Sequence, residues 1–454
     1  MTFRNNIFWV CGAFMLLATC KNQEVSNSEN PPLPTETFSL DTLQKDAFYY
    51  FWDEANKRSG LIPDRSPTET FSSIAATGFG LTSYLIGVEN GYITREQAKE
   101  RVLTTLKFLW QSPQSVNPSG VNGYKGFFYH FLDMNTGNRF EEVELSTIDT
   151  GLLMAGILSC QTYFDQQSEN EDKIRAYADS LYQRVEWDWA MMDNGLMSMG
   201  WHPESGFIES YWAGYNEAMI LLIMAMGSPT HPIAENAWEK WTDTYEWISF
   251  YGYEHLNFAP LFGHQYSHMY IDFRGIQDNY MREKGIDYFE NSRRATLANR
   301  AYCMDNPESF VGYDENTWGL TACDGPGLID TDSMKYRAYW ARGAAATLVR
   351  DDGTIAPTAA GGSIPFAPEE CILALENMYQ KFGNKLYGKY GFRDAFNETT
   401  GWFGKDYIGI DKGPTVIQIQ NFRNEFVWEL MKENKYMVNG LKKAGFRGGW
   451  LDII

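Results

Sequence analysis

A chain of 454 residues that is 44% hydrophobic and 16% aromatic has ample apolar surface for a large core, which excludes a disordered, collagenous or coiled-coil protein. Its 58 acids against 38 Lys and Arg give a net charge of −20, so it lacks the basic footprint that nucleic acid requires, and a polyanionic substrate is disfavoured by the same repulsion. Fifteen Trp, 27 Tyr and 29 Phe in so acidic a chain suit a neutral sugar polymer, whose apolar ring faces stack on aromatic side chains.

At the N-terminus, Arg4 precedes an apolar run over residues 7–17 that is too short to span a bilayer and ends in Leu17-Ala-Thr-Cys20. Residues 1–19 read as a bacterial lipoprotein signal with Cys20 as the lipidated residue, although a plain cleaved signal or a membrane anchor stays open. Residues 20–38 are polar and Pro-containing, as a tether should be, and 39–454 are expected to form one domain. The expected setting is the periplasm or outer membrane of a Gram-negative bacterium, with the lipid as the only membrane contact and the domain a monomer. Cys160, Cys303, Cys323 and Cys371 are widely spaced and contain no C-x-x-C pair, which indicates neither a zinc cage nor a disulfide framework.

From Leu40 onward, apolar residues recur at helical spacing. The spacing predicts helices near residues 41–55, 71–88, 94–110, 147–164, 172–185, 216–226, 235–250, 264–280, 286–304, 335–348, 368–382 and 416–432. Some, such as the run from Ala218 to Met226, are apolar all round, whereas residues 94–107 carry a charged stripe. All-round apolar helices require burial on every side. Their alternation with amphipathic ones predicts an all-α (α/α)6 toroid, six inner helices ringed by six outer ones; an α-solenoid of helix pairs is the alternative.

Glycoside hydrolysis needs two carboxyls, one protonated and one ionised, and three segments set acids at the mouths of apolar helices. In Trp212-Ala-Gly-Tyr215-Asn216-Glu217, the acid enters a helix with no other charge, where desolvation favours its neutral form and the helix dipole opposes this. A first-turn Glu that merely stabilises the dipole is the plainer reading. In Glu144-Leu-Ser146-Thr-Ile-Asp149, Ser146 and Asp149 form a capping-box-like start that by itself accounts for the Asp, while Glu144 stands just outside it. In Asp406-Tyr-Ile-Gly-Ile-Asp411-Lys-Gly-Pro414, either acid could form a turn or serve as a base, with Asp411 preferred. His264, His268 and Asp272 could share a helix face and bind metal, but the motif lacks the Glu of H-E-x-x-H. Gln265, Tyr266, Tyr270 and Arg274 beside them suit hydrogen bonding and stacking with sugar, and His130 and His202 sit beside aromatics as rim residues. With no P-loop, G-x-S-x-G or dinucleotide fingerprint in a convincing context, no cofactor and no metal is expected.

Eight motifs then carry a resemblance running from about Leu40 to Leu451. Among them are Gly126-Phe-Phe-Tyr-His130-Phe-Leu-Asp133, Glu144-Leu-Ser-Thr-Ile-Asp149-Thr, Gly214-Tyr-Asn-Glu217-Ala-Met, Trp318-Gly-Leu-Thr-Ala-Cys-Asp324-Gly-Pro and Ile408-Gly-Ile-Asp411-Lys-Gly-Pro414. Together they resemble the glycoamylase-like family of β-1,2-glucanase type, related to the terminal domain of cyclic β-1,2-glucan synthases. The resemblance implies an (α/α)6 fold and inverting hydrolysis of a β-1,2-glucan to short products such as sophorose. Glu217 maps to the family's general acid and Asp411 is the choice for the base, with Asp149 and Glu144 shaping the reacting subsite. Trp201, Trp212, Tyr215 and Trp318 are expected to stack on sugar, and Asn216 and Asp324 are counted with them as substrate-binding groups. The family's older label of glucoamylase is a weak warrant for α-glucan activity. Gln420 stands where the pattern has an acid, a departure expected to alter a subsite. An α-glucan exo-hydrolase, a non-catalytic glycan-binding lipoprotein and, more remotely, a polysaccharide lyase remain the competing readings.

Overall fold

In the computed structural model, residues 37–331 and 334–453 are described; the signal, Cys20 and most of the tether lie outside them. The described residues form α1 (Leu40–Glu54), α2 (Ile74–Glu89), α3 (Arg95–Gln111), α4 (Thr147–Tyr163), α5 (Glu169–Gln183), α6 (Ala218–Gly227) and α7 (Ala237–Thr242). There follow α8 (Asn279–Lys284), α9 (Tyr288–Asp305), α10 (Pro357–Gly361), α11 (Pro368–Phe382), α12 (Gly409–Asn424), α13 (Phe426–Lys432) and α14 (Lys435–Lys443). Local chemistry starts many of them. Ser73, Ser146, Ser168 and Asp287 each accept a first-turn N–H, and Thr94 and Gln97 close a reciprocal capping box.

Burial alternates along the chain. Helices α2, α4, α6, α10 and α12 are enclosed on nearly every side, whereas α1, α3, α5 and α11 bury a stripe and leave the rest to solvent. Among the enclosed helices, α2 packs on both α4 and α12, and α4 on α6. Helix α1 packs on α12, and the strand Arg65–Ser66 pairs with Tyr407–Ile408, so the beginning of the domain meets its end. Glycine permits the tightest of these contacts: a Cβ on Gly156 would stand 2.1 Å from the Gly78 carbonyl oxygen, so α4 and α2 touch backbone to backbone.

Strands are short, and the largest sheet has five, ordered Gly123–Tyr124, Phe127–Tyr129, Leu145–Ser146, Gly200–His202 and Gly206–Phe207. Its central strand runs directly into α4, which ties the loops ahead of the helices into one wall.

Three predicted helices take other forms. Residues 335–348 form strands: Tyr339–Ala341 pairs with Ala322–Asp324, and Gly343 lies so close to Ala259 and Pro260 that a Cβ would meet their backbone at 2.2–2.4 Å. Arg342 anchors this segment, fully buried, with Nε and Nη2 on Asp352 at 2.7 and 2.8 Å and Nη1 on the Cys323 carbonyl at 2.7 Å. Residues 261–269 make two 3-10 turns rather than the start of a long helix, and the Ser267 hydroxyl ties them to α6: it receives the Ile220 N–H and donates to the Glu217 carbonyl. Residues 235–250 divide into α7 and a strand, Trp247–Phe250. The helix expected from residue 416 begins instead at Gly409, carries Pro414 inside it and breaks at Glu425, which is left-handed at φ 60°. Pro414 cannot donate to the Ile410 carbonyl, and the Tyr266 hydroxyl does so at 3.4 Å.

Candidate active site

Three enclosed helices each bring one acid to a common mouth. Asp149 is the third residue of α4, Glu217 immediately precedes α6, and Asp411 is the third residue of α12. The connecting segments are bonded to one another: the Ile74 N–H donates to the His130 carbonyl, the His130 N–H to the Glu144 carbonyl, and the Gly409 N–H to the Asp64 carbonyl. Because of this lacing, the N-termini of α2, α4 and α12 share one end of the fold, and Trp212 Nε1 donating to Thr147 Oγ1 at 2.9 Å adds α6.

One arm of the mouth holds Glu217, His130, Glu144 and Asp149. Glu217 is 8% exposed and its buried Oε2 has no hydrogen-bond partner. Burial raises its carboxyl to about 7; its own N–H pulls the other way, and the Asp149 charge adds to the rise. His130 lies between two acids, Nδ1 at 2.8 Å from Glu144 and Nε2 at 3.6 Å from Asp149. Burial works against the imidazolium, but Asp149 and Glu144 outweigh it and push His130 up to about 9. Burial also lifts Glu144, and the His130 bond reverses this, leaving it below the ordinary carboxylate value. Asp149 donates its N–H to Ser146 Oγ and accepts the Ser146 hydroxyl, so it caps α4 and faces His130 at once.

The other arm holds Asp411, Asp394, Asp324, Asp64 and Arg65. Burial raises the Asp411 carboxyl; Lys412 and a hydrogen bond from Asp394 oppose the rise, and Asp324 and Asp64 add to it. Arg65 spans Asp64 at 3.1 Å and Asp324 at 2.6 Å. Asp406 is occupied elsewhere: the Thr68 N–H and hydroxyl bond its Oδ1 at 3.0 and 2.8 Å, and the hydroxyl also reaches Oδ2. Asp411 Oδ2, in contrast, meets no such donor. Tyr266 joins the arms, since its hydroxyl feels the charges of Asp411, Glu217 and Asp149 together with the Tyr339 hydroxyl.

The structure thus brings together Glu217, Asp411, Asp149, Glu144, His130 and Asp324 from the sequence-derived set. His202 borders them through Arg139 Nη2 at 3.2 Å. Trp201 packs on Tyr124 and Trp189 in the sheet wall, and Asn216 bonds the Ala213 carbonyl and the Ala218 N–H. Other candidates lie in the interior. Tyr215 stacks between His264 and Tyr288; burial draws His264 down to about 3, and its Nε2 faces the Phe258 carbonyl. Gln265 is spent on Ala359 and Ser363, and Trp318 is fully buried in the second core cluster. His268 bonds Ser292, so the proposed His264–His268 face does not form. Arg274 belongs to the α12–α13 junction, paired with Asp272 and Glu425 over the Trp428 ring. Gln420 accepts from Gln44 and Asn90 inside the fold, away from any subsite role.

Asp64, Arg65, Asp394 and Tyr339 were not among the sequence candidates. Asp64 precedes apolar α2 by ten residues, the same signal that marked Glu217 and Asp411, but the intervening turn disguises it. Asp394 and Tyr339 sit on short strands or loops, where no helical period points to them.

Fold and site together define a helical protein in which Glu217, its carboxyl raised by burial, and the buried acids Asp149 and Asp411 stand at the N-terminal ends of enclosed helices, an arrangement suited to acid–base chemistry. Residues 209–435 match the model of the Glycoamylase family, described as "Putative glucoamylase", and the chain belongs to this family. It is 30% identical, over 93% of its own length, to the exo β-1,2-glucooligosaccharide sophorohydrolase (non-reducing end) of Parabacteroides distasonis, and spans 59% of that protein. The endo-β-1,2-glucanase of Chitinophaga pinensis, solved with sophorotriose and glucose, superposes with a TM-score of 0.80 at 30% identity, covering 91% of this chain and all of the other. The endo-β-1,2-glucanase of Talaromyces funiculosus, at 12% identity and a TM-score of 0.61 over 87% of this chain and 85% of its own, shares the fold.

Proposed function

We propose that the protein is an inverting glycoside hydrolase acting on β-1,2-glucan, with neutral Glu217 protonating the glycosidic oxygen and Asp411 activating water directly or through a substrate hydroxyl. The observation that carries this reading is Glu217 itself, a carboxyl only 8% exposed at the head of an uncharged helix, with one buried oxygen unspent and its proton affinity raised by burial. Asp149, Glu144 and the His130 imidazolium between them shape the charge at the reacting sugar, while Asp324 and Arg65 line the opposite side. Relatives named for exo and for endo action on β-1,2-linked glucans support the linkage. The alternation of enclosed and striped helices supports an (α/α)6 toroid. We further propose a monomer anchored through a lipid on Cys20, facing the periplasm or the cell exterior.

The test is to incubate the domain separately with β-1,2-glucan and amylose and to follow the anomeric form of the products. Release of α-configured short oligosaccharides from β-1,2-glucan alone is expected. Sugar released only from amylose overturns the linkage, and β-configured first products overturn inversion.

A further inference from the structure

The five-stranded sheet that walls the mouth sets three polar side chains in one row. Its register pairs Tyr129 with Leu145 and Leu145 with Trp201. One residue further along, the His130 N–H donates to the Glu144 carbonyl, and His202 pairs with Gly206. Because successive side chains alternate between faces, His130, Glu144 and His202 stand side by side on the face opposite Tyr129, Leu145 and Trp201. A Cβ on Gly200 would lie 2.9 Å from Glu144 Cγ, which sets Glu144 against the strand that carries His202. On one side of the row, His130 Nδ1 meets Glu144 Oε1 at 2.8 Å. At the other end, Arg139 fixes how His202 meets a ligand. The Arg139 side chain is closed to solvent, lies over the Tyr129 ring and has an acceptor for each of its five N–H groups. Nε donates to the Val143 carbonyl at 2.7 Å, Nη1 to the Pro118 carbonyl at 3.2 Å and Glu204 Oε1 at 2.6 Å, and Nη2 to Glu204 Oε2 and His202 Nδ1, both at 3.2 Å. A guanidinium has no lone pair to offer, so Nδ1 is the acceptor and the ring proton of His202 lies on Nε2. His202 is half-buried, and among the described residues its Nε2 meets no acceptor. A Cβ on its cross-strand neighbour Gly206 would find nothing within 4 Å, so the row ends in open space with the Nε2 proton unspent.

Resting on the hydrolase reading, we infer that His202 is a specificity residue that donates its Nε2–H to one hydroxyl of the glucan, and that Arg139 is the positioning residue that holds it in this tautomer and orientation. A sugar hydroxyl both donates and accepts, and the row offers it both partners: Glu144 accepts its O–H while His202 gives an N–H to its oxygen. Without Arg139 the imidazole is free to turn or to carry its proton on Nδ1, and the acid-rich mouth loses this donor. Gln at the same place keeps an amide N–H near the Nε2 position and an oxygen for Arg139, whereas Ala keeps neither.

The experiment uses the full chain and compares His202→Gln, His202→Ala and Arg139→Met in steady-state kinetics on β-1,2-glucan, with folding checked by thermal unfolding. Nitrogen NMR spectra of the imidazole rings in histidine-labelled protein supply a readout without turnover, the His202 signals being those missing from His202→Gln. The wild type is expected to show His202 protonated on Nε2 and bare on Nδ1, and Arg139→Met to lose that single tautomer. His202→Ala is expected to lose ~10-fold to ~100-fold in kcat/KM, mainly as a rise in KM, with His202→Gln recovering most of it. A wild-type His202 that carries its proton on Nδ1, or a folded His202→Ala with the kcat/KM of the wild type, overturns the proposal. A folded Arg139→Met with an unchanged His202 spectrum overturns the positioning role. A wild type that cuts no β-1,2-glucan sinks the hydrolase reading and the hydroxyl contact that rests on it, whereas the spectrum decides the tautomer by itself.

Discussion

Replacing Glu217 with Gln separates what burial does to this group from what the group does to substrate. At about pH 8 the wild-type fold contains a buried carboxylate whose Oε2 has no partner, whereas at about pH 4 the same group is neutral. A carboxyl raised from 4.5 to about 7 in the fold binds its proton more tightly folded than unfolded. Stability is therefore full below about pH 4.5 and falls as pH rises to about 7, by about 3 kcal/mol at ~1.4 kcal/mol per tenfold change in proton affinity. Gln pays no such penalty. The stability difference, variant minus wild type, should grow by about 3 kcal/mol between about pH 4 and about pH 8. For a domain on the order of 400 residues, with an unfolding entropy near ~0.9 kcal/mol per kelvin, this is a relative gain in Tm of about 3 °C. Turnover of β-1,2-glucan should fall by ~10²–10⁴-fold below about pH 7, the range general acids contribute, and by less above it, where the wild type gives up the same proton. Calorimetry at three pH values and a reducing-sugar assay read both effects. A Tm difference that stays flat with pH refutes the buried neutral acid, and turnover within tenfold of wild type below about pH 7 refutes its catalytic role.

Three further outcomes follow from the same geometry. His130, raised from 6.5 to about 9 with its side chain 26% exposed, contributes stability that is complete below about pH 6.5 and lost as pH rises through about 9; His130→Gln should cost about 2 kcal/mol near pH 6 and little above pH 10, measured by urea unfolding. Arg342→Met strands the Asp352 carboxylate in a site closed to solvent and should destabilise by about 3–5 kcal/mol, with Asp352→Leu in the same chain recovering part of it; a neutral single variant would show the pair contributes nothing. Gly156→Ala drives a Cβ into the Gly78 carbonyl and should destabilise by roughly 2 kcal/mol or more in thermal unfolding, and an unchanged Tm would sink the backbone-contact argument.

Much of the helical framework is legible from the residues because it depends on local chemistry and hydrophobic period: α1, α2, α3, α4, α5, α9 and α11 begin and end within a few residues of where spacing and caps set them. The apolar character of the Ala218 run announces a helix enclosed on every side, and with it the fate of the acid at its head. Where polar side chains find partners far along the chain, period misleads. Ser267 bonds α6, Arg342 bonds Asp352 and the Cys323 carbonyl, and both segments abandon the helices their spacing suggests.

Glu217 was prominent in the sequence because a single charge before an uncharged helix is a local pattern. Sequence alone could not separate Asp406 from Asp411, since both are acids in one glycine-containing loop. Tertiary structure separates them by satisfying one and sparing the other: Thr68, far along the chain, occupies Asp406, while Asp411 is left facing Asp394. For the same reason His264, Gln265 and Trp318 looked like sugar contacts and lie in the interior, because a polar or aromatic side chain carries no mark of whether its partner will be ligand or protein. What the residues determined alone was an acidic, aromatic, helix-rich protein with a protonatable acid at Glu217. Which acids stand together, and which of them hold a proton, was decided only when α2, α4, α6 and α12 met at one end, because proton affinity depends on burial and neighbouring charge, and both are properties of the folded arrangement.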